Sequence, residues 1–252
     1  MEIINIFWTG GVDSTFRVLQ LSRQKVIIQP IYVIDSYRKS QSLELESMRS
    51  IIKCLKQKEE TVAEIADILM FEKEKIPIDN DITNAYQILS KTIRLGGQYE
   101  WLSRLAKLYP GVELGIEKPN GEYSGCCYAI EKYGKLIKYG SSFVVDKQNS
   151  SKEIILLFQN FTFPIYYITE IDMVSWVKKY GYEDVMSLIW FCHAPINNTP
   201  CGVCRPCQQK MECGMSFLLP RKAQNRYKTY SKLKEKCRIC SKLYYIIIHL
   251  FS

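Results

Sequence analysis

Residues 2–15 read EIINIFWTGGVDST, and this stretch decides the fold. Residues 2–8 are an apolar run rich in β-formers, which predicts a strand. Gly10-Gly11 breaks the run, and a helical pattern follows from near Asp13 to about Gln24, with Phe16, Val18 and Leu19 on one face. Residues 26–34 (VIIQPIYVI) predict a second strand, with Pro30 marking its start or a bulge. Residues 42–58 predict a helix, with Leu43, Met48, Ile51, Ile52 and Leu55 at helical spacing. Strand, helix, strand, helix in this order implies parallel strands joined by right-handed crossovers, hence an α/β fold.

Further along, residues 79–92 and 98–109 predict two helices joined at Gly96-Gly97, and residues 112–117 (VELGIE) a strand. The stretch 118–152 is rich in Gly, Asn, Lys and Ser and reads as a substrate-facing loop or irregular insertion. Residues 153–158 (EIILLF) are expected to be another strand. Thr169 opens a helix through Tyr180 with Asp172 in its first turn, and a helix from Glu183 to Phe191 leads to a cluster of cysteines. No internal repeat or low-complexity segment interrupts the chain.

The seven residues Thr9-Gly10-Gly11-Val12-Asp13-Ser14-Thr15 carry the first chemistry. Two glycines let backbone approach an anion without a Cβ and allow positive φ. Their N–H groups, with the helix N-terminus that follows, favour a phosphate. The hydroxyls of Thr9, Ser14 and Thr15 are possible further donors. Asp13 would repel phosphate by itself, so it is expected either to cap the helix or to bind a Mg²⁺ that holds pyrophosphate. There is no GxxxxGK[ST] string, so this is not a Walker loop.

The second chemistry is in Cys192, Cys201, Cys204 and Cys207, spaced C-x8-C-G-x-C-x2-C. Thiolates two residues apart can grip one tetrahedral ion, and Gly202 suits the tight turn of such a knuckle. Four at this spacing predict a structural Zn²⁺ site with no open position, an iron–sulfur cluster being the second choice. His193, beside Cys192, is redundant as a ligand.

Together these strings resemble the PP-loop ATP pyrophosphatase superfamily, whose loop reads SGGxDS, and within it the 7-cyano-7-deazaguanine synthases of queuosine precursor biosynthesis. The likeness runs through most of residues 3–216. It includes Ile31 to Glu46, Trp101-Leu102-Ser103 (where the family has FLS) and Phe163 to Ile171. Two segments depart from the family. Leu95-Gly96-Gly97-Gln98 lacks the arginine of a PGRN-like stretch, and Glu122 to Cys127 keeps little of the deazaguanine-recognition segment. The resemblance therefore implies a divergent paralogue with an altered acid or nucleophile. The implied fold is a Rossmann-like parallel sheet of the adenine nucleotide alpha-hydrolase type, spanning residues 1–180. A helical zinc-binding subdomain, 181–220, and a tail, 221–252, would follow. The implied activity is an ATP-dependent carbon–nitrogen ligase that adenylates a carboxylate, best matched by 7-carboxy-7-deazaguanine, and couples it to ammonia or another amine. ATP would bind Thr9 to Thr15, with Asp13 and Ser14 catalytic and Mg²⁺ as cofactor. The alternatives are a PP-loop tRNA-modifying thiolase or ligase, and a non-catalytic nucleotide-binding paralogue.

Composition bounds the remaining choices. Of 252 residues 47% are hydrophobic, enough for a sizeable core. No apolar run reaches the roughly 20 residues of a membrane-spanning helix. The N-terminus lacks the marks of a signal peptide, so a cytoplasmic protein is expected. Ten cysteines in such a chain point to metal rather than disulfides. The net charge of +8 lies wholly in the tail: residues 221–252 hold nine Lys or Arg and one acid, and residues 1–220 are balanced. The core thus carries no compositional sign of nucleic-acid binding. The tail could bind nucleic acid or an anionic surface, but packing or a homodimer is favoured because residues 243–251 (LYYIIIHLF) are apolar, and the tail is expected to be separable from the nucleotide site. Cys237 and Cys240 form a weak second CxxC, and His249 reads as a packed or surface histidine. Tyr86, Tyr99 and Trp101 read as packing aromatics. Tyr37 and Arg38 follow the second strand at the edge where ligands bind, and are candidates to touch nucleotide or substrate.

Overall fold

A computed structural model describes residues 1–117 and 125–250. In chain order the elements are β1 (Glu2–Phe7), α1 (Val12–Ser22), β2 (Val26–Ile34), α2 (Gln41–Lys56), β3 (Glu64–Ile65), β4 (Leu69–Glu72), α3 (Asn80–Thr92), α4 (Gln98–Ala106) and β5 (Val112–Leu114). Then come α5 (Gly125–Tyr133), β6 (Leu136–Tyr139), β7 (Ser142–Val145), α6 (Lys152–Phe158), β8 (Phe161–Thr162), α7 (Glu170–Tyr180), α8 (Glu183–Met186), α9 (Arg205–Glu212), α10 (Arg221–Lys236) and α11 (Arg238–Leu250). The central sheet runs β3-β2-β1-β5-β8 with β4 also on β2, and every pairing in it is parallel. From β1 the chain builds β2, β3 and β4 on one side, then returns to place β5 and β8 on the other. The crevice at the carboxyl end of β1, beside β5, is therefore a topological switch point, where open α/β sheets bind ligands.

The side-chain period of two divides the core between the two faces of the sheet. Ile6, Ile28 and Tyr32 pack with Phe16, Leu19, Met48, Ile51 and Met173 of α1, α2 and α7 on one face. Phe7, Ile31 and Val33 pack with Ile82, Leu89, Leu102, Leu105 and Phe158 of α3, α4 and α6 on the other. Pro30 lies inside β2 rather than at its start. Ile31 O accepts from Trp8 N across β1, and Ile28 O accepts from Ala66 N on the opposite side. Even-numbered residues thus face β3 and β4, and the N–H that Pro30 lacks falls at the junction where β3 has ended and β4 has not begun. Gln29 spans that junction, its Nε2 donating to Asp67 O at 2.7 Å.

Three sequence expectations about these elements are corrected. Residues 153–158 are helix, not strand: Ser151 accepts from Ile154 N as a cap, and Ile154, Leu157 and Phe158 are buried at helical spacing. A six-residue apolar run fits either structure, and the cap decides. Part of 118–152 is regular, forming α5 and the β6–β7 hairpin, whereas 118–124 lies outside the described residues. The helix expected over 183–191 ends at Met186. Beyond it the backbone is drawn onto the loop after β1: Ser47 Oγ donates to Leu188 O and Trp190 N to Gly10 O. The tail forms the helical pair α10–α11. The helix predicted to open at Thr169 with Asp172 in its first turn is present, and the two side chains form a capping box. Among the described residues no helix is long and apolar enough to cross a membrane.

Candidate functional site

A cavity of about 390 Å³ opens at the carboxyl edge of β1 and β5. Thr9, Gly11, Val12, Asp13 and Ser14 form one wall. Gly10 supports this wall from behind at φ +69°, and a Cβ on it would press on Ser47 Oγ at 2.8 Å. The first i→i−4 bond of α1 joins Thr15 N to Gly11 O at 3.0 Å. The amides of Val12, Asp13 and Ser14 precede that bond and need partners from outside the helix. Gly115 follows β5 so closely that a Cβ would meet Ser14 Cα at 2.8 Å, which brings the end of β5 against the start of α1. Arg17 locks the two together through a buried bidentate pair with Glu113, at 2.8 and 2.7 Å. Thr15, like Gly10, does not line the cavity. It is fully buried, and its hydroxyl accepts from the Trp8 indole at 2.9 Å.

Asp13 is not the helix cap, because Gly11 occupies that position and has no side chain to offer. Its carboxylate instead meets two others: oxygens of Asp13, Glu117 and Glu170 all lie within 4.8 Å of one another. Glu117 comes from the chain just beyond β5, and Glu170 from the first turn of α7. Lys210 of α9, buried, pairs with Glu170 Oε1. One oxygen each of Glu117 and Glu170 has no hydrogen-bond partner among the described residues. Burial, reinforced by Glu170 and opposed by Lys210, pushes the Asp13 carboxyl up to about 6. Burial, then Asp13 and Glu170, push Glu117 up to about 8. Three clustered carboxylates against one lysine leave a net deficit of two positive charges, so a divalent cation suits the cluster.

The rest of the lining is less polar and includes Tyr99, Ile116, Cys126, Cys127, Trp190 and Phe191. Cys126 Sγ lies 2.9 Å from Tyr99 Oη, and Cys127 Sγ lies 3.2 Å from Glu117 O. Arg38 reaches the rim, tied to Glu44 at 3.3 Å, while Glu44 also accepts from Tyr32 Oη and Ser40 Oγ. Tyr37, beside it, is 88% exposed and does not line the cavity. Tyr86 donates to Leu95 O, and Trp101 packs against the core, as read from the sequence.

The four cysteines converge as the spacing predicts. Cys201 Sγ lies 3.9 Å from Cys207 Sγ, and Cys204 Sγ 3.8 Å from Cys192 Sγ. A tetrahedral ion with sulfur ligands at ~2.3 Å has edges of ~3.8 Å. Backbone amides of Val203 and Cys204 turn toward Cys201 Sγ, and that of Cys201 toward Cys192 Sγ. All four are buried, so the cluster could hold a metal ion such as zinc. His193 is not in the set and lines the cavity instead. Burial, then Arg38, hold its imidazole below the ordinary value, in the neutral form. Gly202 sits at φ +84°, and a Cβ there would run into the Ala223 carbonyl of α10. Arg226 caps the unit by donating to Cys201 O at 2.7 Å and Pro200 O at 2.9 Å.

The cysteine unit also forms a wall of the cavity. Cys204 caps α9, which carries Pro206, Gln209 and Lys210 to the carboxylates, while Trp190, Phe191 and His193 flank Cys192. Sequence reasoning missed Glu117, Glu170 and Lys210. Glu117 had one usable signal, a carboxylate just past a strand's carboxyl end. Glu170 read as a helix-start acid, and nothing in the sequence marks Lys210 as buried. Neither a protein-family model nor a curated protein matches this chain.

Proposed function

We propose that the chain binds ATP and a divalent cation in this cavity and adenylates a carboxylic acid, which ammonia or another amine then captures. The observation that carries the reading is the pairing, in one cavity, of free helix-start amides with a three-carboxylate cluster. The amides of Val12, Asp13 and Ser14, with the hydroxyls of Thr9 and Ser14, would hold the departing pyrophosphate. Asp13, Glu117 and Glu170 would hold the cation, Mg²⁺ by the hardness of their oxygens, and it would screen the phosphate charges when bound. Lys210, paired with Glu170, holds that carboxylate in place. The aromatic and thiol side chains of the lining offer a weakly polar surface for a purine or deazapurine. Catalysis would consist of orientation and charge stabilisation, with the Rossmann-like sheet as a rigid base.

The test is AMP release with ATP and Mg²⁺, using 7-carboxy-7-deazaguanine with and without ammonia. AMP and pyrophosphate formed only with the acid, and amide or nitrile only with ammonia, are expected. ADP as the nucleotide product, or no ATP binding, would remove the reading. ATP binding without AMP release across many acids and amines would favour a non-catalytic nucleotide-binding paralogue. One observation favours the thiolating alternative: Cys126 and Cys127 share the wall of the same cavity. Sulfur transfer to RNA that fails in a Cys126→Ser, Cys127→Ser variant would establish it.

A further inference from the structure

Helix α11 is apolar on two faces. Tyr244, Tyr245 and Ile248 pack on the cysteine unit. Ile239, Leu243, Ile246, Ile247 and Leu250 point the other way, between 50% and 71% exposed. At 100° per residue these five fall within an arc of about 100°, a continuous aliphatic stripe. Lys242 lies beside it on α11, and Lys232, Lys234, Lys236 and Arg238 are exposed along the same helical pair, with Glu235 the one acid of the tail. The whole net charge of the protein is thus concentrated on the helical pair that carries the stripe.

We propose that α10–α11 is a docking surface for an anionic lipid bilayer, with the α11 stripe lying in the interface and the lysines on the headgroups. Charge complementarity selects the occupant. A second copy would bring two tails of the same charge together, and they would repel. A nucleic acid would use the lysines but leave five aliphatic side chains in water. An anionic membrane satisfies both at once. The helix, 13 residues and about 20 Å long at ~1.5 Å per residue, is too short to span the ~30 Å hydrocarbon core, so it would lie flat.

The experiment is sedimentation of the full chain with vesicles of phosphatidylcholine alone or containing about one-third phosphatidylserine. Binding only to the anionic vesicles, falling steeply with added salt, is expected. Ile246→Ser with Ile247→Ser should weaken it at least tenfold, by about the loss of two buried aliphatic side chains. Lys232→Glu with Lys236→Glu should weaken it by a similar factor. All four positions are exposed, so zinc content and thermal unfolding should not change; if the serine pair loses either, the lysine pair decides. The proposal is overturned if anionic vesicles bind no better than neutral ones, or if a folded serine pair sediments like the wild type. It is also overturned if light scattering finds a dimer that the serine pair converts to a monomer.

Discussion

In Mg²⁺-free buffer the protein should lose stability as pH rises from 5 to 8, and Mg²⁺ should restore it at the upper end. Asp13 and Glu117 titrate near 6 and near 8 in the fold, above their ordinary values of 3.8 and 4.5, chiefly because burial disfavours their charged forms. The folded state therefore binds more protons than the unfolded chain between about pH 4 and pH 8, and stability falls as pH rises by up to ~1.4 kcal/mol per pH unit for each group. Their stabilising contribution is complete below about pH 4, and is lost as pH passes the folded values. From pH 5 to 7, Asp13 contributes up to ~1.4 kcal/mol and Glu117 up to ~2.8 kcal/mol. Both are only partly buried, so we halve the sum and expect about 2 kcal/mol. Glu117→Gln removes the larger share and should be more stable than the wild type at pH 8 by about 1–2 kcal/mol, with a flatter pH profile. The assay is urea unfolding at four pH values with and without Mg²⁺, with no chelator, because a chelator would strip the cysteine site. Glu117→Gln less stable than wild type at pH 8, or Mg²⁺ stabilising equally at pH 5 and 8, would refute the reasoning.

Asp13→Ala and Ser14→Ala should each lower ATP turnover about 10²–10³-fold with the fold intact, read by steady-state AMP release and circular dichroism; wild-type rates would exclude the loop as the site. The purified chain should carry one zinc, measured by elemental analysis, and Cys204→Ser should lose it together with about 3 kcal/mol or more of stability. Gly202→Ala should be almost as damaging to zinc retention, because its Cβ would displace α10; a folded, zinc-loaded Gly202→Ala protein would contradict that contact. Truncation after Pro220 should lower both zinc retention and melting temperature, since it removes Ala223, Arg226 and the aromatic cover of the cysteines. Unchanged zinc and melting temperature would show that α10–α11 does not close the cysteine unit; separability from the nucleotide site is read by ATP binding, expected to survive the truncation.

What was legible in the sequence was local. The strand–glycine–helix string at residues 2–24 and the cysteine spacing are each set within a few turns of chain, and both formed as read. Failures came where distant contacts override local pattern. The helix expected through Phe191 stops because Leu188 O and Trp190 N are bound by Ser47 and Gly10. Residues 153–158 held too few side chains for the apolar period to separate helix from strand, although Ser151 was there to be read as a cap. Asp13 kept two readings, cap or cation ligand, for a different reason. At a helix start a carboxylate has a cheap local role, and only Gly11 at the cap position and the approach of Glu117 and Glu170 from β5 and α7 decide against it.

The same locality explains why the cysteine cluster reads as merely structural from its spacing, although its position makes it more than that. Lys210 lies one turn beyond Cys207, and its ammonium pairs with Glu170 of the carboxylate cluster. An ion held by the four sulfurs fixes where α9 begins, and so fixes Lys210. If the ion is lost, thiolates brought within 4 Å of one another repel, the turn at Gly202 opens and α9 loses its anchor. Glu170 would then be buried without its cation, and the Asp13 and Glu117 carboxyls would move further up, because Lys210 is the group that lowers them. Zinc removal should therefore raise the pH at which Mg²⁺ begins to stabilise the protein, even under conditions where the sheet remains folded. Lys210→Met, which keeps the ion but removes the ammonium, should reproduce that shift with normal zinc content. If zinc removal moves the Mg²⁺ profile and Lys210→Met does not, the coupling runs through another part of the wall, Trp190 to His193.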